Sequence, residues 1–265
     1  MTFNSDFADE FTYNKKDYIK HNKKYKYNVN KTSIEILKDN NQFNKQKGKY
    51  ISIDFDNMYD EKQRKVISNA LIDALNELFT LKDDDKILIV GLGNQKILAD
   101  SLGPEVSDKI MVTNHIYTLL KEEELKRVCV FTPKVMGQTG LESADLVLAV
   151  SKLFKPNIII VIDALATSSL KRINKVIQIS DTGIAPGSGV GNYRKQIDYQ
   201  TFKVKVIAIG VATVVKASSI IDSSMLENQE DLILTPKEIE EEITHLSDII
   251  STSINNYIHI NYNKM

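Results

Sequence analysis

The pattern of apolar and polar positions changes character near residue 49. Residues 1–48 are polar and rich in Asn and Lys, as in KHNKKYKYNVNK, and predict an extended arm ahead of one domain over 49–265. KYISIDF (49–55) then alternates with the two-residue period of a strand. Ile67, Ala70, Leu71, Ala74, Leu75 and Leu78 recur at three- and four-residue spacing, which predicts an amphipathic helix over 60–80. From there strand and helix patterns take turns. KILIVGL (86–92), RVCVFTP (127–133), NIIIVIDAL (157–165), KVIQIS (175–180) and VKVIAIGV (204–211) read as strands. Between them, Gly103-Pro104 opens a helix through about His115, with Pro in the first turn where its missing N–H is not needed, and 141–154 forms another. Thr235-Pro236-Lys237-Glu238 reads as a capping box, starting a helix with a stripe of Ile239, Ile243, Leu246, Ile250, Ile254 and Ile258. NIIIVIDAL does not alternate, as expected of a central strand covered on both faces. The whole pattern predicts an α/β fold of three layers, a mainly parallel sheet with helices on both faces.

Composition narrows the function classes. Of 265 residues, 42% are hydrophobic and 26% charged, which is ordinary for a globular chain. A net charge of −1 argues against a dedicated nucleic-acid binder, so no direct nucleic-acid partner is expected. The single cysteine, Cys129 in VCVF, excludes an internal disulfide framework and a cysteine-based zinc site, and its setting predicts a buried thiol. No apolar run reaches the roughly 18 residues of a membrane span, and the first residues carry no apolar signal region. A cytoplasmic protein without a membrane partner is expected.

In a sheet of this kind ligands gather beyond the carboxyl ends of the strands. Asp163 closes NIIIVID, and Asp100 lies in the loop after the 86–92 strand. A dinucleotide turn would need G-x-G-x-x-G; Gly91 and Gly93 fit, but the third place is Lys96, and no Walker pattern exists. Two carboxylates sharing one crevice would share a proton, so one could activate a water while the other donates to a substrate carbonyl. Alternatively, Asp163 caps a helix and Asp100 makes a turn; spacing alone leaves both open. The loop Ser180–Lys195 is unusually rich in glycine, with Gly183, Gly187, Gly189 and Gly191, and could present backbone to an anion or an extended peptide.

Several long stretches, GLGNQKILADSLGP, KVMGQTGLESADL, KPNIIIVIDALATSSLKRIN, IQISDTGIAPGSGVGNYRK and VIAIGVATVV, together resemble the germination protease of spore-forming bacteria. The resemblance runs from Lys86 to Val215, and LTPKEIEEEI fits the family's last helix. It implies a fold like that of the hydrogenase-maturation proteases and an aspartic-type endopeptidase without cofactor or metal. It also implies a spore-core location, a homotetramer, and small acid-soluble spore proteins as substrates. The family's essential acids fall on D-x-L-G-P and I-D-A-L-A, which are Asp100 and Asp163 here. Gly183, Gly187, Gly189 and Gly191 would then border the substrate groove. The resemblance further implies a zymogen that trims its own N-terminus. Ser5-Asp6-Phe7-Ala8-Asp9-Glu10-Phe11 resembles the cleavage sequence, which places self-cleavage at Asp6-Phe7 at acidic pH. One departure is a long family segment before LTPKE, replaced here by SMLENQEDLI.

Two other readings keep the fold. In a metal-sensing maturation-type peptidase, His115 would join Asp100 and Asp163 at a metal. A non-catalytic sporulation protein would have lost the activity.

Overall fold

The computed structural model describes residues 5–10, 17–39, 45–120, 125–187, 194–217, 220 and 232–259. Among the described residues nine strands form one sheet: β1 (Tyr18–Lys24), β2 (Asn30–Ile36), β3 (Gly48–Asp54), β4 (Lys86–Gly91), β5 (Arg127–Phe131), β6 (Ile158–Thr167), β7 (Val176–Ser180), β8 (Lys205–Lys216) and β9 (Ile233–Leu234). The helices are α1 (Glu61–Leu78), α2 (Leu102–Asp108), α3 (Asn114–Leu120), α4 (Met136–Thr139), α5 (Ser143–Phe154), α6 (Tyr199–Phe202) and α7 (Ile239–Ile258). The strand order is β1-β2-β3-β7-β8-β6-β4-β5, with β9 beside β8. The half that runs β8-β6-β4-β5 is parallel; the remaining pairings are antiparallel.

The three-layer α/β arrangement follows from strand parity. On β6, Ile158, Ile160 and Ile162 pack with α1, α2 and α7 on one face, while Ile159 and Val161 pack with α5 and Phe202 on the other. The α7 stripe from Ile239 to Ile258 is buried as its spacing predicts. β6 sits between β8 and β4, so its unbroken apolar run serves a strand covered on both sides.

Four expectations are corrected. The polar lead-in is no loose arm at 18–36: β1 and β2 form a hairpin that extends the sheet from β3. It is held to α1 by Lys31, which pairs with Asp73 at 2.9 Å and Glu77 at 3.0 Å. The helix predicted through His115 stops at Asp108 and resumes as α3. Asn255 of α7 receives the Met111 N–H at 2.9 Å and donates to the Lys109 carbonyl at 3.0 Å, which replaces the next helical turn. The capping box does not form, because the Thr235 hydroxyl donates to the Thr213 carbonyl at 2.9 Å and α7 begins only at Ile239. Cys129 is half-buried, with burial pushing its thiol up.

Candidate active site

The site grows from a difference in strand length. β4 ends at Gly91, opposite Ile162 of β6, but β6 continues to Thr167 beside β8. Asp163 is therefore not the last residue of its strand. It is the first beyond the β4 partner, on the same side of the sheet as Ile159 and Val161.

Asp100 is brought to the same place by close backbone packing. The chain leaves β4 through Leu92, whose N–H donates to the Ile162 carbonyl at 2.8 Å, and loops through residues 94–100 into α2. A Cβ on Gly103 would stand 2.2 Å from the Leu92 carbonyl oxygen and 2.8 Å from that of Ile162. Only glycine lets the first turn of α2 press onto the ends of β4 and β6. Gly93 has φ +116°, and a Cβ there would stand 2.0 Å from the Asp100 carbonyl oxygen and 3.2 Å from Oδ1. The two glycines, with Asn94 donating its N–H to Asp100 Oδ2 at 2.8 Å, hold that carboxyl in position.

Both acids line one cavity of about 670 Å³. Burial pushes Asp100 up to about 6, against the pull of the Asn94 N–H. Asp163 is pushed well above the usual carboxylate range, first by burial, then by the charge of Asp100, while the Ala164 N–H opposes the shift from 3.0 Å. The charge of Asp6 adds to the rise. Asp100, near 6, is mostly ionised at neutral pH, while burial and the charge of Asp100 favour the protonated form of Asp163, so the pair is suited to accept a proton at one group and give one from the other.

The rest of the cavity wall is mostly apolar, with Leu92, Ile97, Met136, Ala144, Leu165 and Val214 among its residues. Arg194 and Lys195 also line it, paired with Glu142 and Asp145 respectively. Of the glycine loop, Gly187 lines the cavity beside Pro186. Gly183 (φ +79°) instead makes a tight turn against the Ile197 carbonyl, where a Cβ would stand 2.2 Å away. Gly189 and Gly191 lie outside the described residues, as does the 221–231 stretch that holds most of SMLENQEDLI. His115 is exposed on α3 and is not part of the cavity wall. Among the described residues no group of three or more His, Cys, Asp or Glu side chains is placed to hold a metal.

From the segment 5–10, whose last three residues form a 3-10 helix, Asp6 enters the same cavity. Past Ile162, β6 has no strand partner on its β4 side among the described residues, and Asp6 occupies that edge. The Asp6 N–H donates to the Ala166 carbonyl at 3.1 Å, and the Ala166 N–H donates to Asp6 Oδ2 at 2.9 Å. The Asp6 carbonyl accepts from Lys45 Nζ at 2.9 Å and Gln178 Nε2 at 3.0 Å. Phe7 is fully buried against Leu165, Val176 and Ala212. Sequence reasoning marked Asp6 and Phe7 but gave no role to Gln178, Lys45 or Arg172. The one available signal was a polar Gln inside the buried strand VIQIS.

Two carboxyls, both pushed up by burial, thus share one cavity at the end of the parallel strands. The model of the germination protease family matches residues 2–228. The germination protease of Clostridium tetani is 36% identical over 268 residues, 84% of this chain and 83% of that protein. That of Priestia megaterium is 40% identical over 196 residues, 71% of this chain and 53% of that protein. A [NiFe] hydrogenase maturation protease from Thermococcus kodakarensis aligns with a TM-score of 0.40 at 20% identity, covering 69% of this chain and 99% of that one. The chain belongs to the germination protease family, and is a peptidase of that family. No described helix is long and apolar enough to cross a membrane.

Proposed function

We propose that the chain is an endopeptidase that begins the breakdown of small acid-soluble spore proteins in the germinating spore core. It is made as a zymogen that removes its own N-terminal segment, and Asp100 and Asp163 are its catalytic pair. The observation that carries this reading is the shared cavity lined by both acids, each pushed up by burial and Asp163 further by the charge of Asp100. Ionised Asp100 takes a proton from a water as that water attacks the peptide carbonyl. Asp163 gives its proton to the carbonyl oxygen. The tetrahedral intermediate collapses as the C–N bond breaks, and the departing nitrogen takes a proton from the pair.

The overhanging edge of β6 suits an extended, unfolded substrate, because a peptide can add there as a further strand. The glycine loop, through Gly187, borders that groove. Asp6 lies on that edge, bonded to Ala166, which supports Asp6-Phe7 as the bond cut in self-processing. A homotetramer is part of the same reading and rests on family membership.

N-terminal sequencing of the full chain after incubation between about pH 5 and 7 tests the processing. A new terminus at Phe7 is expected in the wild type, and the original terminus in Asp100→Asn and Asp163→Asn. Loss of either group should slow cleavage of an acid-soluble spore protein by a factor on the order of 100 or more. Near-normal cleavage by both variants would end the acid-pair mechanism.

A further inference from the structure

The carbonyl of Asp6 belongs to the bond that self-processing would cut, and two side-chain nitrogens donate to its oxygen. Lys45 Nζ lies 2.9 Å from it and Gln178 Nε2 3.0 Å from it. The Gln178 amide also reaches past Phe7: its Oε1 accepts the Ala8 N–H at 2.9 Å, where the short 3-10 helix Ala8–Glu10 begins. One amide thus grips the backbone before and after Phe7. Lys45 Nζ donates to the Ser5 carbonyl as well, at 3.2 Å.

Both groups are costly to keep where they are. Gln178 is 7% exposed inside the buried strand VIQIS, and its side-chain bonds among the described residues go to Asp6 and Ala8. Burial pushes the Lys45 ammonium below its usual range, against the charges of Asp6 and Glu10. Once the segment has been cut and has left, these donors lose those acceptors, and a carbonyl of an incoming chain can take their place.

Strand register sets Gln178 beside the acids. Gln178 of β7 lies opposite Gly210 of β8, and Gly210 lies opposite Asp163 of β6. Gln178 and Asp163 therefore rise from one face of the sheet, two strands or about 10 Å apart. Bare Gly210 leaves room for Leu165, against which Phe7 packs, and Asp6 lines the cavity with both acids.

We propose that Lys45 and Gln178 are catalytic residues that hold the carbonyl oxygen of the cut bond and meet the negative charge that gathers on it. The inference rests on the proposed function, since it takes Asp6-Phe7 as the bond that is cut. As water adds to the carbonyl carbon, Asp100 takes a proton from that water and the C=O electron pair moves onto oxygen. The two donors bind this oxygen more strongly than the neutral carbonyl, until Asp163 gives it a proton. The C=O bond then re-forms as the C–N bond breaks, and the departing nitrogen takes a proton from the pair.

Lys45→Met and Gln178→Met keep side chains of similar length and remove the donors. Self-processing of the full chain is followed as the first-order appearance of a terminus at Phe7. Docking of residues 5–10 is read on the uncut chains by amide hydrogen exchange. Each substitution should slow the cut by a factor on the order of 100, with exchange over residues 5–10 changed far less. Lys45→Arg, which keeps a cation, should recover part of the rate. Against an acid-soluble spore protein, the loss should fall on kcat more than on KM. Slow cutting in both Met variants beside a normal rate in Asp100→Asn would support the two donors and remove the acid-pair mechanism. Cutting that needs Asp100 but keeps its wild-type rate in both Met variants would overturn the two donors and leave the peptidase reading standing. A rate that falls only in step with docking would also overturn them, since both would then be anchors of the segment. A wild-type chain cut at another bond, or not cut, would overturn them together with the processing site.

Discussion

Burial at Asp100 and Asp163 favours the neutral carboxyl, and that preference costs the fold stability when the solution favours the charged one. For Asp100 the folded value lies near 6, against about 4 for an exposed aspartate. Below pH 4 both the folded and unfolded chains hold the proton, and nothing is lost. Between about pH 4 and 6 the unfolded chain ionises first, so wild-type stability falls through that window and the cost then levels off. Asp100→Asn removes the titration and can keep the bond from the Asn94 N–H. It should therefore be more stable than the wild type at pH 7, by on the order of 2–3 kcal/mol, with the gain vanishing near pH 4. Thermal denaturation at several pH values reads this directly, and a constant difference would show that Asp100 titrates normally. In activity, the ionised base is lost as pH falls, so kcat/KM should drop below about pH 6. That both acids reach one cavity was legible in the chain, because Asp163 follows the apolar run NIIIVI and Asp100 lies in the loop after KILIVGL, each within a long recognisable motif. The bond from the Ser168 N–H to the Glu10 carboxylate was not, since the two residues are 158 apart and no periodicity links them.

At the level of elements, the site depends on strands of unequal length and on a helix start set hard against them. The period of apolar residues revealed β6 and α7 clearly. It could not show that α2 stops at Asp108, because the stop is imposed by Asn255, 146 residues after Lys109. Asn255→Ala should leave the Met111 N–H and the Lys109 carbonyl without that partner, at a cost of about 1–3 kcal/mol. A lower midpoint in urea with an unchanged slope would record it. Gly103→Ala acts on the other end of α2. The added carbon has backbone oxygens within 2.8 Å, so α2 must lift off β4 and β6 and carry the Asp100 loop with it. Peptide cleavage should fall with the melting temperature in that variant. In Asn255→Ala, which is remote from the cavity wall, cleavage should hold while stability drops.

Across the whole molecule, the sheet combines two halves with different logic. The parallel half, with both faces covered, announces itself in apolar runs and carries the acids. The hairpin of β1 and β2 was hidden, because β1 has the exposed sequence YIKHNKK and meets α1 through the ion pair of Lys23 with Asp73. Its lysines also line an outer sheet edge, where charge discourages pairing with another chain.

The docking of residues 5–10 on β6 has a consequence for concentration. On the proposed reading the segment blocks the groove of the protein it is tethered to, so its local concentration there is on the order of millimolar however dilute the solution. Amide hydrogen exchange over residues 5–10 should accordingly be unchanged by about a thousandfold dilution, whereas a plug supplied by a neighbouring molecule would fall away. A free chain must outcompete that tether to enter, so an uncut molecule should remain indifferent to substrate even when surrounded by it.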